Sequence, residues 1–314
     1  MPALFFGGGI KKRMTSTTEQ KLDRDGVTAA LTAFTFWGLV PIYYKGLQAV
    51  GAWEVLAHRI IWSIPVLLLF LLVRDGKTFW RKLHLPLKSI GWLVLSGLMI
   101  SVNWLVFVWA VANDHVLDTS LGYFGTPLVN VVLGYLFLKE RLPILQLLAV
   151  VVAAAGTIYL AWYIGRPPWI AITLAVSFGL YGLLRKRLDV GPMLGLLWET
   201  ALMLLPALVY LLWLASQAGH QFLHVSVNVD LLLIGSGIPT ILPLIWFNMA
   251  AQKLPLSILG FFQYLAPSIS FLLAVYLFGE VFTTGHAVAF GCIWLALALV
   301  SIEPFRRARR RLRG

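Results

Sequence analysis

The stretch GYFGTPLVNVVLGYLFLKE (122–140) is answered 140 residues later by FQYLAPSISFLLAVYLFGE (262–280). The two align without a gap on Pro127/Pro267, Leu133/Leu273 and Glu140/Glu280. Upstream, the same register holds through Ser96/Ser236, Gly97/Gly237, Phe107/Phe247 and Ala110/Ala250. A looser pair of matches, one residue out of step, comes earlier: Lys45/Lys186 and Pro65/Pro206. Identity is sparse, so the unbroken register across two hydrophobic runs and the turn between them is the signal. It marks an internal repeat.

The repeat lies in a chain of 314 residues that is 60% hydrophobic and 12% charged, with a mean hydropathy of +0.84. Soluble domains run at roughly 45–50% apolar and about 25% charged, so this composition belongs to a polytopic membrane protein. A spanning helix needs about 20 mostly apolar residues. Ten such segments are expected, near 27–45, 54–73, 89–111, 118–138, 143–163, 168–184, 193–214, 231–250, 256–278 and 285–302. Five spans per half make the halves enter the membrane from opposite sides, the inverted repeat common among secondary transporters. The expected layout is a cytoplasmic tail (1–25), a first five-helix repeat (26–163), a second (164–302) and a basic cytoplasmic tail (303–314). Connections are short. The longest outer one, 215–229, carries Gln217, His220, Gln221, His224 and Asn228 but no Lys or Arg.

Charge placement sets the orientation. With both termini cytoplasmic, all but three of the 25 Lys and Arg fall on the inside. The exceptions are Lys45 and Arg166 at outer helix ends, and Arg59 within a span. The net charge of +12 is therefore a positive-inside pattern, not a nucleic-acid footprint. The tail RRARRRLR (306–313) is expected to meet anionic lipid headgroups. MPALFFGGGIKKR (1–13) places apolar residues before basic ones, the wrong order for a signal peptide. Since Met14 opens a more ordinary start, these thirteen residues are expected to be a start-site artefact or a disordered tail. The single cysteine, Cys292, excludes an intrachain disulfide and reads as a small packed residue.

Polar groups at membrane depth are costly and default to functional candidates. Arg59, beside His58, lies in the second span. Glu199 lies at similar depth in the seventh, its symmetry mate. The two either form a structural ion pair or work on a substrate and a coupling ion. Asn103, Asn130, Asn248 and Gln263 are substrate ligands or interhelical glue. Trp37, Trp104, Tyr123 and Tyr264 are aromatics beside them. Together these eight form the expected substrate set, suited to an amphipathic or aromatic solute. His58, Arg59, Glu199, Pro127 and Pro267 form the expected coupling and gating set. Each proline sits inside a span at matching positions and should bend its helix. Glu140 and Glu280, at helix ends, are gate, capping or plain interfacial groups. Asp114, His115 and Asp118 lack an evident fourth ligand, so no metal is expected. No G-x-x-x-x-G-K-[ST] and no H-E-x-x-H occurs, so neither ATP drive nor that zinc chemistry is expected, nor any cofactor.

The segments FTFWGLVPIYYK (34–45), EVLAHRIIWS (54–63), NWLVFVWAV (103–111), SLGYFGTPLVNVVLGYLFLKERL (120–142), LRKRL (184–188), WETALMLLP (198–206) and LGFFQYLAPSISFLLAVYLFGE (259–280) strongly resemble RarD-type permeases. These belong to the EamA branch of the drug/metabolite transporter superfamily. The resemblance runs from about Asp25 to Ser301. It implies an all-α fold of ten transmembrane helices in two inverted EamA-type halves. Their cavity is lined mainly by the first, third, fourth, sixth, eighth and ninth helices. It also implies efflux of metabolites or drugs across the bacterial inner membrane by alternating access, with an association to chloramphenicol. An uncoupled facilitator or importer is the alternative. An intramembrane enzyme would need clustered acids, a metal site or a nucleophile, none of which is visible, and a scaffold gains nothing from inverted repeats. Protons are the coupling ion to test and a homodimer the assembly to test.

Overall fold

The computed structural model describes residues 23–83, 87–139, 143–186, 188, 190–254 and 256–311. Residues 1–22, with the N-terminal segment discussed above, and Glu140 lie outside them. Among the described residues every regular element is helical. In order they are α1 (Arg24–Lys45), α2 (Ala52–Asp75), α3 (Ile90–Ala112), α4 (Val116–Leu138), α5 (Ile144–Ile164), α6 (Trp169–Arg185), α7 (Pro192–Ser216), α8 (Val227–Gly235), α9 (Gly237–Lys253), α10 (Leu256–Phe262), α11 (Leu265–Leu272) and α12 (Thr284–Arg311). Short turns at Gly76–Thr78, Phe79–Lys82 and Leu87–Ser89 join α2 to α3. Eight helical segments are long and apolar enough to cross a membrane, and two shorter apolar ones, Trp169–Arg185 and Thr284–Val300, accompany them. Each overlies one of the ten expected segments. In hydrocarbon the backbone must satisfy its own hydrogen bonds, which is why these runs fold as helices.

Two expected spans are interrupted, and one proline rule accounts for both. A proline cannot donate to the carbonyl four residues back, and its ring crowds that carbonyl. Pro239 stands four residues after Gly235, where α8 ends. Pro267 stands four residues after Gln263, which with Tyr264 forms the turn between α10 and α11. Past α11 the chain widens into one π-helical segment, Leu273–Leu277. The matched prolines therefore differ. Pro267 sits in the first turn of a restarted helix, whereas α4 runs without interruption through Pro127.

The chain forms two compact units that do not coincide with the sequence repeats. One comprises residues up to Val40, Trp53–Leu98 and Leu184–Ala266. The other comprises Pro41–Ala52, Met99–Leu183 and Pro267 onward. In the first unit, Ala29, Ala30 and Phe34 of α1 pack with Ala250, Leu254 and Leu259 in a buried apolar cluster. In the second, α12 lies along α5. A Cβ on Gly156 would stand 2.5 Å from that of Cys292, so glycine there lets the two helices close, aided by buried Ala149 and Ala153.

Candidate functional site

Arg59 and Glu199 occupy the same place in equivalent helices, the eighth residue of α2 and of α7. Both are buried, Glu199 at 1% exposure and Arg59 at 7%. Glu199 Oε1 accepts the Ser96 hydroxyl of α3 at 2.6 Å. It also lies 3.2 Å from Arg185 Nη1 at the end of α6. Arg185 donates from Nη2 to the Pro192 carbonyl at 3.2 Å. Gly195, one turn before Glu199, leaves the space the guanidinium fills, since a Cβ there would strike Arg185 Nη1. Arg59 donates from Nε to Thr240 Oγ1 of α9 at 2.7 Å, and Thr240 donates onward to the Ser236 carbonyl at 3.1 Å.

The crossings that carry these contacts are close. Gly97, next to Ser96, would put a Cβ 3.4 Å from the Glu199 carbonyl oxygen. Gly237, its repeat mate, abuts the backbone of Trp62 and Ser63 in α2. The first unit thus holds the same device twice, an α-helical charge meeting a hydroxyl from a helix that glycine lets approach. The charge is an anion at one crossing and a cation at the other.

Sequence reasoning missed Ser96, Thr240 and above all Arg185. The sequence leaves Arg59 and Glu199 as either an ion pair with each other or groups that work on a substrate and a coupling ion; the structure places Arg185 3.2 Å from Glu199. That arginine lies in LRKRL (184–188) and counts among the inside Lys and Arg that set the orientation. The readable signal was its place as the last residue of an apolar run, seven residues ahead of a proline that starts the next helix. Glu54 was also missed. It is 1% exposed and accepts backbone N–H groups of Gln221 and Phe222. His58 accepts the Trp62 indole N–H on Nδ1 at 3.3 Å, an arrangement of the Nε2-protonated ring. Its face lies 4.7 Å from that of Phe222, centre to centre.

Among the expected substrate residues, Asn103 and Tyr123 meet in the second unit. The Tyr123 hydroxyl donates to Asn103 Oδ1 at 3.0 Å. Asn103 Nδ2 donates to the Leu174 carbonyl at 3.0 Å and to Ser177 Oγ at 3.1 Å. Both amide hydrogens and one lone pair are thereby used inside the protein, tying α3, α4 and α6 at a point 1% exposed. Replacing Asn103 with leucine removes three hydrogen bonds and is expected to cost about 2–3 kcal/mol, while Tyr123→Phe removes one and costs about 1 kcal/mol. Unfolding titrations in mild detergent check the order. Equal costs would show that the node is not shared as the distances imply.

The other expected residues stand apart from that node. Trp104 is buried. Asn130 is exposed, with its Oδ1 3.2 Å from where a Gly179 Cβ would lie. In the first unit Trp37 packs on Phe34 and Phe247 at 5.5 and 5.9 Å. Asn248 donates to the Leu244 carbonyl one turn back at 2.8 Å. Gln263 and Tyr264 form the break between α10 and α11.

The second unit carries a polar group at the start of α4. Asp118 lies 3.3 Å from His115 and 3.9 Å from His286, and Lys45 pairs with Asp114 at 2.5 Å. Glu280 accepts from Val116 N at 2.6 Å and Leu117 N at 2.8 Å, satisfying two of the donors a helix start leaves free. Burial pushes its carboxyl above the usual range, outweighing those two donors. Glu280 is thus a helix cap. Among the described residues no group of three or more His, Cys, Asp or Glu could hold a metal.

A profile of the EamA-like transporter family matches twice, at residues 24–162 and 167–302. A Vibrio cholerae protein named "Uncharacterized transporter" is 45% identical, over 96% of this chain and all of its own. A "Protein RarD" of Salmonella typhi is 42% identical over 93% of this chain and all of its own. A Pseudomonas aeruginosa protein named "Chloramphenicol-sensitive protein RarD" is 31% identical, over 93% and 99% respectively. A solved crystal structure covers 88% of this chain and 97% of its own with a TM-score of 0.58 at 19% identity, a likeness of fold.

Proposed function

Because the chain belongs to the EamA-like transporter family, and is thus a multi-span transporter of the bacterial inner membrane, we propose that it exports small organic metabolites or drugs by alternating access. The observation that carries this reading is the double family match over an all-helical chain of membrane-length segments. Each matched half is one five-helix repeat in the proposed topology, with both termini cytoplasmic and the basic tail against anionic headgroups. The name of the Pseudomonas relative makes chloramphenicol the first drug to try.

In the proposed cycle Glu199 carries the coupling proton. It is a buried carboxylate whose partners include a hydroxyl and a guanidinium, so its charge state bears on whether the α3, α6 and α7 contacts hold. Glu199→Gln is expected to abolish flux driven by an imposed pH gradient in liposomes, with the protein still folded. Unchanged flux in that variant would remove Glu199 from coupling. A specific observation favours a second reading, an uncoupled facilitator: the 3.2 Å ion pair with Arg185 suits a structural contact that persists through the cycle. Flux indifferent to the pH gradient in the unmodified protein would select it.

The cargo is to be found by untargeted profiling of cells and medium. The strains to compare lack the gene, overexpress it, or overexpress Arg59→Gln at matched membrane levels. A solute enriched in the medium only with the unmodified protein identifies the cargo and confirms export. No enrichment, with added chloramphenicol also unmoved, would overturn the export reading.

A further inference from the structure

The connection between α7 and α8 is a built object. Ala218 and Leu223 both take left-handed backbone, at φ 53° and 65°, a region that branched and bulky residues avoid. Two carboxylates hold the segment in this shape. Glu54, in the first turn of α2, accepts Gln221 N at 2.8 Å and Phe222 N at 3.0 Å on Oε1. Asp230, in the first turn of α8, accepts Leu223 N at 2.7 Å. The Phe222 ring lies on His58 one turn along α2 from Glu54. The Leu223 side chain, by contrast, is 71% exposed, and only its main chain takes part in the hold.

Glu54 is the unusual member. It is almost fully buried, and among the described residues it forms no ion pair; its partners are main-chain donors of this one segment. A buried charge left without a cation is expensive. Apolar packing would have fixed the segment at less cost if permanence were all that was required. Hydrogen bonds from backbone to a carboxylate are strong but can be exchanged for water, and the left-handed residues favour departure once those bonds are gone.

We propose that residues 217–226 are a releasable strap. Glu54 holds it closed over the end of α2 that carries His58 and Arg59, and its release uncovers that end to solvent. Asp230 keeps the far end tethered to α8, so the strap swings and does not unravel. That this opening belongs to a transport cycle rests on the reading given above; the opening itself does not.

The test uses the full chain in lipid nanodiscs, with residue-level hydrogen exchange. In the unmodified protein, the Gln221 and Phe222 amides are expected to exchange at least about tenfold faster than the amides of mid-α2, through a local opening. Glu54→Gln, which exchanges a charge-assisted acceptor for a neutral one, is expected to speed those two amides about tenfold further. The amides of α2 and α7 should not change. Three results would overturn the strap: Gln221 and Phe222 exchanging only as slowly as mid-α2, no effect of Glu54→Gln, or an equal rise across α2 and α7. If the variant does not fold, the first comparison, made on the unmodified protein, still decides. A failed search for a cargo leaves these rates untouched, so the two readings fall separately.

Discussion

Replacing Arg185 by glutamine is expected to destabilise the protein by about 3–5 kcal/mol, and adding Glu199→Gln to the same chain is expected to restore most of it. Glu199 is buried at 1% side-chain exposure and Arg185 at 8%. Removing the guanidinium strips a desolvated carboxylate of a cation 3.2 Å away, a loss that the neutral Ser96 hydroxyl does not replace. Taking away the second charge removes the reason for the penalty, since a neutral amide asks far less of its surroundings. Glu199→Gln alone should cost less than Arg185→Gln alone. The stranded arginine keeps its bond to the Pro192 carbonyl and has a long stem that can reach toward the membrane surface. Unfolding of the four proteins in detergent, read as a double-mutant cycle, gives the coupling directly. A cost below about 1 kcal/mol for Arg185→Gln would mean the pair is solvated and is no part of a buried site.

The second large effect is expected at Gly237. A Cβ there would lie 2.6 Å from the Trp62 carbonyl carbon and 2.9 Å from the Ser63 nitrogen. Both are backbone atoms of a helix, so no rotamer can yield. Gly237→Ala must part α2 from α9, at a cost of about 3 kcal/mol, the upper end for overpacking. Gly237→Val should not accumulate as folded protein. The same parting stretches the 2.7 Å contact of Arg59 with Thr240, so any transport that depends on Arg59 falls with stability. Gly182 is the control. Its Cβ would meet nothing within 4 Å, so Gly182→Ala should cost clearly less. Equal costs at the two glycines would refute the backbone argument.

The membrane spans were legible because hydrocarbon imposes one rule along the whole chain: apolar length. Arg59 and Glu199 were legible because a charge inside such a run stands out. Arg185 was not, because at the end of a run a basic residue has a sufficient reason to exist in orientation alone. Only the fold turns it back onto Glu199. Glu54 was hidden the same way, an acid at a helix start whose partners are backbone groups 167 and 168 residues away. Pro127 and Pro267 read alike, and only Pro267 accompanies a break, because a proline's effect depends on whether neighbours hold the turn before it. Asn103 could not be judged from sequence: an amide in a span is glue or ligand according to what stands across from it.

The dispersal of each compact unit along the chain has a consequence for biosynthesis. Ser96 waits 103 residues for Glu199, and Arg59 waits 181 for Thr240. At the usual pace of about 5–20 residues per second, these are delays of roughly 5–20 and 10–35 seconds. During that time the early spans occupy the bilayer, or the insertion machinery, with their polar partners still untranslated. A ribosome that stalls after the first five spans therefore leaves no half-sized folded product. It leaves helices whose packing partners in each compact unit are still missing.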